Sequence, residues 1–168
     1  AFAVWLDLRE TRRNKIYGAS SNDGGKTWSK NLMIYTSPDT VVCECCKPSV
    51  AMKGSNIYVM FRNRLNGNRD LYLIQSANGG ASFAQAQKLG TGSWKLNACP
   101  MDGGGLAINE NGKHFTPFLP ARRAPGYIYT GTSGRRAWGG AGETGEEIPM
   151  DHAKPATVTL FHYGWRRC

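Results

Sequence analysis

Cysteine is the residue whose placement first invites chemistry. Cys43, Cys45 and Cys46 fall in the string CECC, Cys99 opens CPMDGG, and Cys168 ends the chain. Five cysteines is an odd number, so at least one thiol stays outside any internal disulfide. Thiolates suit zinc or copper(I). Cys43, Cys45, Cys46 and Cys99 are therefore a candidate soft-metal set, although C-x-C-C is not a zinc-finger spacing. CECCK has the C-x-x-C spacing of covalent haem attachment, but Lys47 stands where that motif needs His. The other readings are a disulfide, which suits an exported protein, and unpaired thiols. Neighbours Cys45 and Cys46 are poor partners for one another. His114, His152 and His162 show no ligand spacing, and no helical pattern follows the glycines at 103–105, which argues against a phosphate loop. No cofactor is expected. Trp94 and Trp138 have the ring area to stack on a sugar, although indoles more often pack inside.

The formal charge is +9, from 21 basic against 12 acidic residues. Such a field draws anions of every kind, nucleic acid and acidic sugars included. The basic residues are scattered in pairs such as Arg122-Arg123 and Arg135-Arg136, without the interleaved aromatics of an RNA-binding signature. No stretch has the length of a membrane-spanning helix. The opening AFAVWLDLRE lacks the basic start and long apolar run of a signal peptide.

What must position these groups is a repeat. SNDGGKTW at 21–28 matches SANGGASF at 76–83 after a shift of 55 positions. The same shift brings Val4 onto Val59, Arg9 onto Arg64 and Tyr17 onto Tyr72. A weaker third register sets CKPSVAM against GGGLAIN. Within the second unit, 49–52, 57–64, 69–76 and 84–90 read as strands, with turns at GSN, LNGN and ANGG. Four short antiparallel strands in about 50 residues match a β-propeller blade, which must stack on neighbours to bury its faces. The octets are then hairpin turns. Their glycines supply backbone that side chains forbid, Asp23 accepts from turn amides, and Trp28 is expected to pack inward.

SNDGGKTW carries every fixed position of the S-x-D-x-G-x-T-W Asp-box, and the chain resembles the sialidase-like (BNR-repeat) superfamily over roughly residues 1–118. SANGGASF is a degenerate copy. VWLDLRE, CCKPSVAM, YVMFRNR and CPMDGG add to the likeness. The resemblance implies an all-β fold of sialidase-like propeller blades with four antiparallel strands each. It assigns Ser21, Asp23, Gly25, Thr27 and Trp28, with Ser76, Asn78, Gly80, Ser82 and Phe83, to structural turns on the rim away from substrate.

The opposite rim would carry the site, on loops 7–14, 36–48, 62–70 and 91–104. Sialidases hold a sugar carboxylate with three arginines, whose planar forks donate paired hydrogen bonds. They attack with a Tyr assisted by Glu, outside the usual two-carboxylate scheme. The candidates carried over are Asp7, Arg9, Arg62 and Arg64 for ligand binding. Asp102 and Asp70 are candidate acids, and Glu44 is a candidate Tyr partner. The F/Y-R-I-P motif is absent, and FRNR at 61–64 lacks its Pro. Cys46 and Cys99 precede equivalent strands, so a disulfide between inter-blade loops is one expectation.

The boundaries read from sequence are 1–118 for the Asp-box blades and 119–168 for a divergent third blade or extension. GTSGRRAW stands where a third box would fall, and PATVTLFHYGW at 155–165 reads as a strand. At this period the chain makes about three blades, against the four to eight of closed rings. It is then a fragment of a larger propeller, half of a six-bladed ring closed as a homodimer, or a stack capped by 119–168. Two function classes follow. One is a module binding an anionic carbohydrate or protein partner. The other is an exo-sialidase-type glycoside hydrolase. A thiol-metal protein is a third.

Overall fold

The computed structural model describes residues 1–10, 13–38, 41–90, 92–98, 100–101 and 103–108, and the backbone of 114–118 and 127–131. Candidates Cys99 and Asp102 and most of 119–168, with the strand expected at 155–165, lie outside the described residues. The described chain is all β and antiparallel. Its strands are β1 (Phe2–Asp7), β2 (Lys15–Ser20), β3 (Leu32–Tyr35), β4 (Val41–Val42), β5 (Ser49–Lys53), β6 (Asn56–Leu65), β7 (Asn68–Ser76), β8 (Gln87–Lys88), β9 (Ala107–Ile108), β10 (His114–Phe118) and β11 (Tyr127–Gly131).

They form three separate sheets. The first has the order β1-β2-β3, and the third β11-β10-β9. The second runs β4-β6-β7-β8, with β5 also on β6. β4 meets β6 at Asn63–Arg64 and β5 meets it at Asn56–Met60. These two thus line the same edge of β6, separated by residues 43–48, which carry the cysteines. The β6–β7 hairpin closes through Asn66 (φ 51°) and Gly67 (φ 76°). Two successive positive φ values give the two-residue turn whose twist matches antiparallel strands. It fixes the register from Leu65↔Asn68 to Ile57↔Ser76.

The second sheet is buried on both faces, which explains the unbroken apolar run IYVMF. Ile57, Val59, Phe61 and Ile74 pack on Ile16 and Ile34 of the first sheet, with Phe2, Val4 and Leu6 against the same cluster. The alternate residues Tyr58, Met60, Leu71 and Leu73 pack on Leu106 and Ile108. Period-two alternation thus sends neighbours on one strand into two different cores.

The ladders also revise the equivalence read from sequence. Ile16 and Leu71 keep the 55-residue relation, each facing the next sheet in the chain. Val4, however, lies opposite Gly18, whereas Leu73, the counterpart of Gly18, lies opposite Met60. Val4 therefore corresponds to Met60, one place beyond Val59. Val4 and Val59 are not copies in one environment; they contribute to one core from facing sheets. The cause is loop length. Residues 8–14 separate β1 from β2, while two residues separate β6 from β7. The longer loop absorbs a one-residue slip that a tight turn would forbid.

Candidate functional site

The two ends of the sheets differ in chemistry. At one end lie the two octets, with the same hydrogen-bond plan. Ser21 Oγ donates to Asp23 Oδ1 (2.8 Å), Gly25 N donates to Ser21 Oγ (2.8 Å), and Thr27 N donates to Asp23 Oδ1 (2.9 Å). In the second turn Ser76 Oγ donates to Asn78 Oδ1 (2.8 Å), Gly80 N to Ser76 Oγ (3.0 Å), and Ser82 N to Asn78 Oδ1 (3.0 Å). The final link reverses. Thr27 Oγ1 donates to Asp23 Oδ2, whereas Asn78 Nδ2 donates to Ser82 Oγ. Those donors, the Thr27 hydroxyl first, then its amide and the Ser21 hydroxyl, hold the Asp23 carboxyl far below its usual range.

The closing rings differ. Phe83 packs on the first core, its ring 6.0 Å from that of Phe2. Gly80, at φ +92°, gives the Phe2 ring room: a Cβ there would stand 2.5 Å from Phe2 Cε2. Trp28 does not pack inward as its motif suggests. It is 40% exposed and lies over its own turn, with Nε1 donating to Gly25 O (3.1 Å). Phe83 has the first sheet beside it; Trp28 has no preceding sheet among the described residues.

The other end collects the charged candidates. Asp7, at the end of β1, is buried and accepts from Trp5 Nε1 (3.0 Å), Arg9 N (2.9 Å) and Arg9 Nε (2.9 Å), with Arg9 Nη2 2.6 Å from its second oxygen. Burial alone would raise the Asp7 carboxyl. The Arg9 guanidinium and amide, helped by Trp5, outweigh that and hold it below its usual value. Arg9 keeps a side chain 60% exposed.

Arg62 is placed differently from the expectation of a ligand-facing arginine. It is 1% exposed on β6, its Nη1 donates to Arg69 O (2.6 Å), and its guanidinium stacks 5.2 Å from the Trp94 ring centre. Trp94 is thus engaged by a cation. Asp70, an expected acid, is also buried: it accepts from Trp94 N (2.7 Å) and lies 3.7 Å from Lys88 Nζ. Both hold the 92–98 segment against β7. Arg64 and Glu44 remain about two-fifths exposed, 3.9 Å apart.

Arg69, which the motif comparison did not single out, is the hub. Its Nη1 reaches Glu44 Oε2 (3.2 Å) and Cys43 Sγ (3.2 Å), and its Nε donates to Leu96 O (3.3 Å). A buried arginine on a strand adjoining an acidic, cysteine-rich loop is a weak sequence signal, and the pairing became visible only with the β6–β7 register. A tyrosine–glutamate pair was missed as well. Tyr17 OH donates to Glu10 Oε1 (2.8 Å), and Lys15 binds the other oxygen (2.7 Å). Glu10, chiefly, raises the Tyr17 hydroxyl above its ordinary value and so favours the neutral phenol.

Cys43 and Cys46 are fully buried and keep their thiols, with sulfurs 2.8 Å apart. Cys45 is disulfide-bonded, and its partner is neither of these two, so it lies outside the described residues. The three sulfurs lie within 4.8 Å of one another. While Cys45 stays in its disulfide, this cluster offers two thiols, short of the four ligands of a structural zinc site. The Cys46 hydrogen bond first, then the Cys45 amide and Arg69, lower the Cys43 thiol to about 6 against the opposing effect of burial. Comparison with protein-family models, with curated proteins and with solved structures finds no match.

Proposed function

We propose that this chain is a sialidase-like propeller module that binds an anionic ligand, a sugar carboxylate foremost, at the sheet ends opposite the octet turns. The observation that carries the reading is the exposure of Arg9 and Arg64 at that end, Arg9 held by Asp7 and Arg64 standing 3.9 Å from Glu44. The net charge of +9 supplies long-range attraction for the same class of ligand. On this reading the sheets are blades, the octets brace the far rim, and the ring is completed by further blades or a second copy. The cysteine disulfide favours an exported protein.

Calorimetry with N-acetylneuraminic acid and with galactose tests the proposal. Binding of the acid and not the neutral sugar, weakened about tenfold or more by Arg64→Ala, is expected, since removing a charged hydrogen bond costs about 1.5–3 kcal/mol. Equal binding of both sugars, or no effect of the substitution, overturns it. The hydrolase reading draws on the Tyr17–Glu10 pair, but the raised phenol and the Lys15 contact leave that pair poorly prepared for attack. Release of 4-methylumbelliferone from a sialoside, abolished by Tyr17→Phe, would favour hydrolysis over binding alone.

A further inference from the structure

The segment between β4 and β5 gathers three sulfur atoms within 4.8 Å of one another, and among the described residues no carboxylate or imidazole joins that group. Cys43 and Cys46 are thiols in C-x-x-C spacing, both fully buried, with Sγ atoms 2.8 Å apart. Cys45 Sγ, 3.9 Å from Cys43 Sγ, is committed to a disulfide and brings no thiolate. The site therefore offers two soft donors and no hard one. The guanidinium of Arg69, itself buried, stands 3.2 Å from Cys43 Sγ and also reaches Glu44 Oε2 (3.2 Å).

We infer that Cys43 and Cys46 bind one copper(I) ion as a two-thiolate site, with Arg69 as its counter-charge. Soft sulfur selects copper(I), and two thiolates are enough to hold it, whereas structural zinc asks for four ligands. Charge points the same way. Two thiolates carry two negative charges, and copper(I) and the Arg69 guanidinium bring one positive charge each. The loaded site is then neutral, which is what burial requires. The thiol protons leave to solvent as the ion enters. Both ligands and the counter-charge come from Cys43, Cys46 and Arg69, so no further sulfur is needed. Metal–thiolate bonds run to about 2.3 Å, so the entering ion parts the two sulfurs from their 2.8 Å contact. Rotation of either side chain supplies that movement. A bound ion also keeps two touching thiols from joining in a chain that already holds one disulfide.

The test uses the full chain, purified without chelator or thiol reductant so that the Cys45 disulfide survives. It is titrated anaerobically with copper(I) against bathocuproine disulfonate, whose colour reports the copper that the protein leaves behind. One copper per chain withheld from the competitor is expected. X-ray absorption of the loaded protein should show two sulfur neighbours and no nitrogen or oxygen, and excess zinc should leave the copper in place. Cys43→Ser and Cys46→Ser should each weaken retention by about a hundredfold or more, beyond the effect of losing a supporting contact. Copper that stays with the competitor, a spectrum with nitrogen or oxygen neighbours, displacement by zinc, or equal retention by a folded double variant of Cys43→Ser and Cys46→Ser overturns the inference. The wild-type titration and spectrum decide the matter even if a variant fails to fold.

Discussion

Asp23 and Asn78 are a natural substitution experiment at one turn position. The carboxylate accepts from Thr27, whereas the amide donates to Ser82, and the remaining contacts persist. Asp23 has a folded-state pKa below its unfolded one, so its contribution is present above about pH 4 and is lost as pH falls through the folded value. Asp23→Asn should keep the turn near neutrality and remove that acid-sensitive part. Thermal melts from pH 6 down to pH 2 would register it as a flatter fall in midpoint than in wild type, while Asp23→Ala should melt earlier at every pH. Arg62 tests the opposite expectation, that a motif arginine reaches for ligand. Its guanidinium satisfies the Arg69 carbonyl and covers Trp94. Arg62→Met should therefore destabilise by about 2–4 kcal/mol, measured by urea unfolding, and a loss of ligand binding without a loss of stability would contradict this placement.

At the scale of elements, much was legible. Alternation and glycine turns located β5, β6 and β7 to within a residue or so, because each runs from one turn signal to the next. Strand β8 is shorter than the string 84–90 implied, although Ala84 N still donates to Gln75 O (2.8 Å) and Leu89 N to Leu71 O (2.8 Å) on either side of it. What the sequence hid was register. A constant shift aligns Val4 with Val59 and Arg9 with Arg64, yet pairing across β1–β2 displaces that strand by one. Nothing in the residue types announces such a slip, because both faces of these strands are apolar. The charged cluster was half legible for the same reason: Glu44, expected beside a Tyr, meets Arg64 and Arg69, and Arg69 enters only once β7 is in register beside β6. The two hairpins should respond differently to insertion. One glycine added after Gly67 forces the β6–β7 ladder out of step and should cost most of the folding cooperativity. One added after Arg9 falls in a loop that already tolerates a slip, and should shift the midpoint little. Circular-dichroism melts of the two insertion variants decide it.

For the molecule as a whole, the second sheet is a party wall. Tyr58 and Val59 are adjacent in the chain and belong to rooms on opposite sides of it. Damage on either side must be felt on the other, since both cores need the same strand to stay straight. Phe61→Ala, at a site with 0% exposure facing the first core, should cost about 3–5 kcal/mol. Probes of Leu106 and Ile108, across the sheet, should lose protection together with those of Ile16. Hydrogen exchange with separate opening energies for the two sides would contradict this. A molecule built so has little freedom to shed one layer and keep the next, and its tolerance to added length lies in the corridors, not the walls: loop 8–14 can be lengthened while the strand between Ile57 and Phe61 cannot.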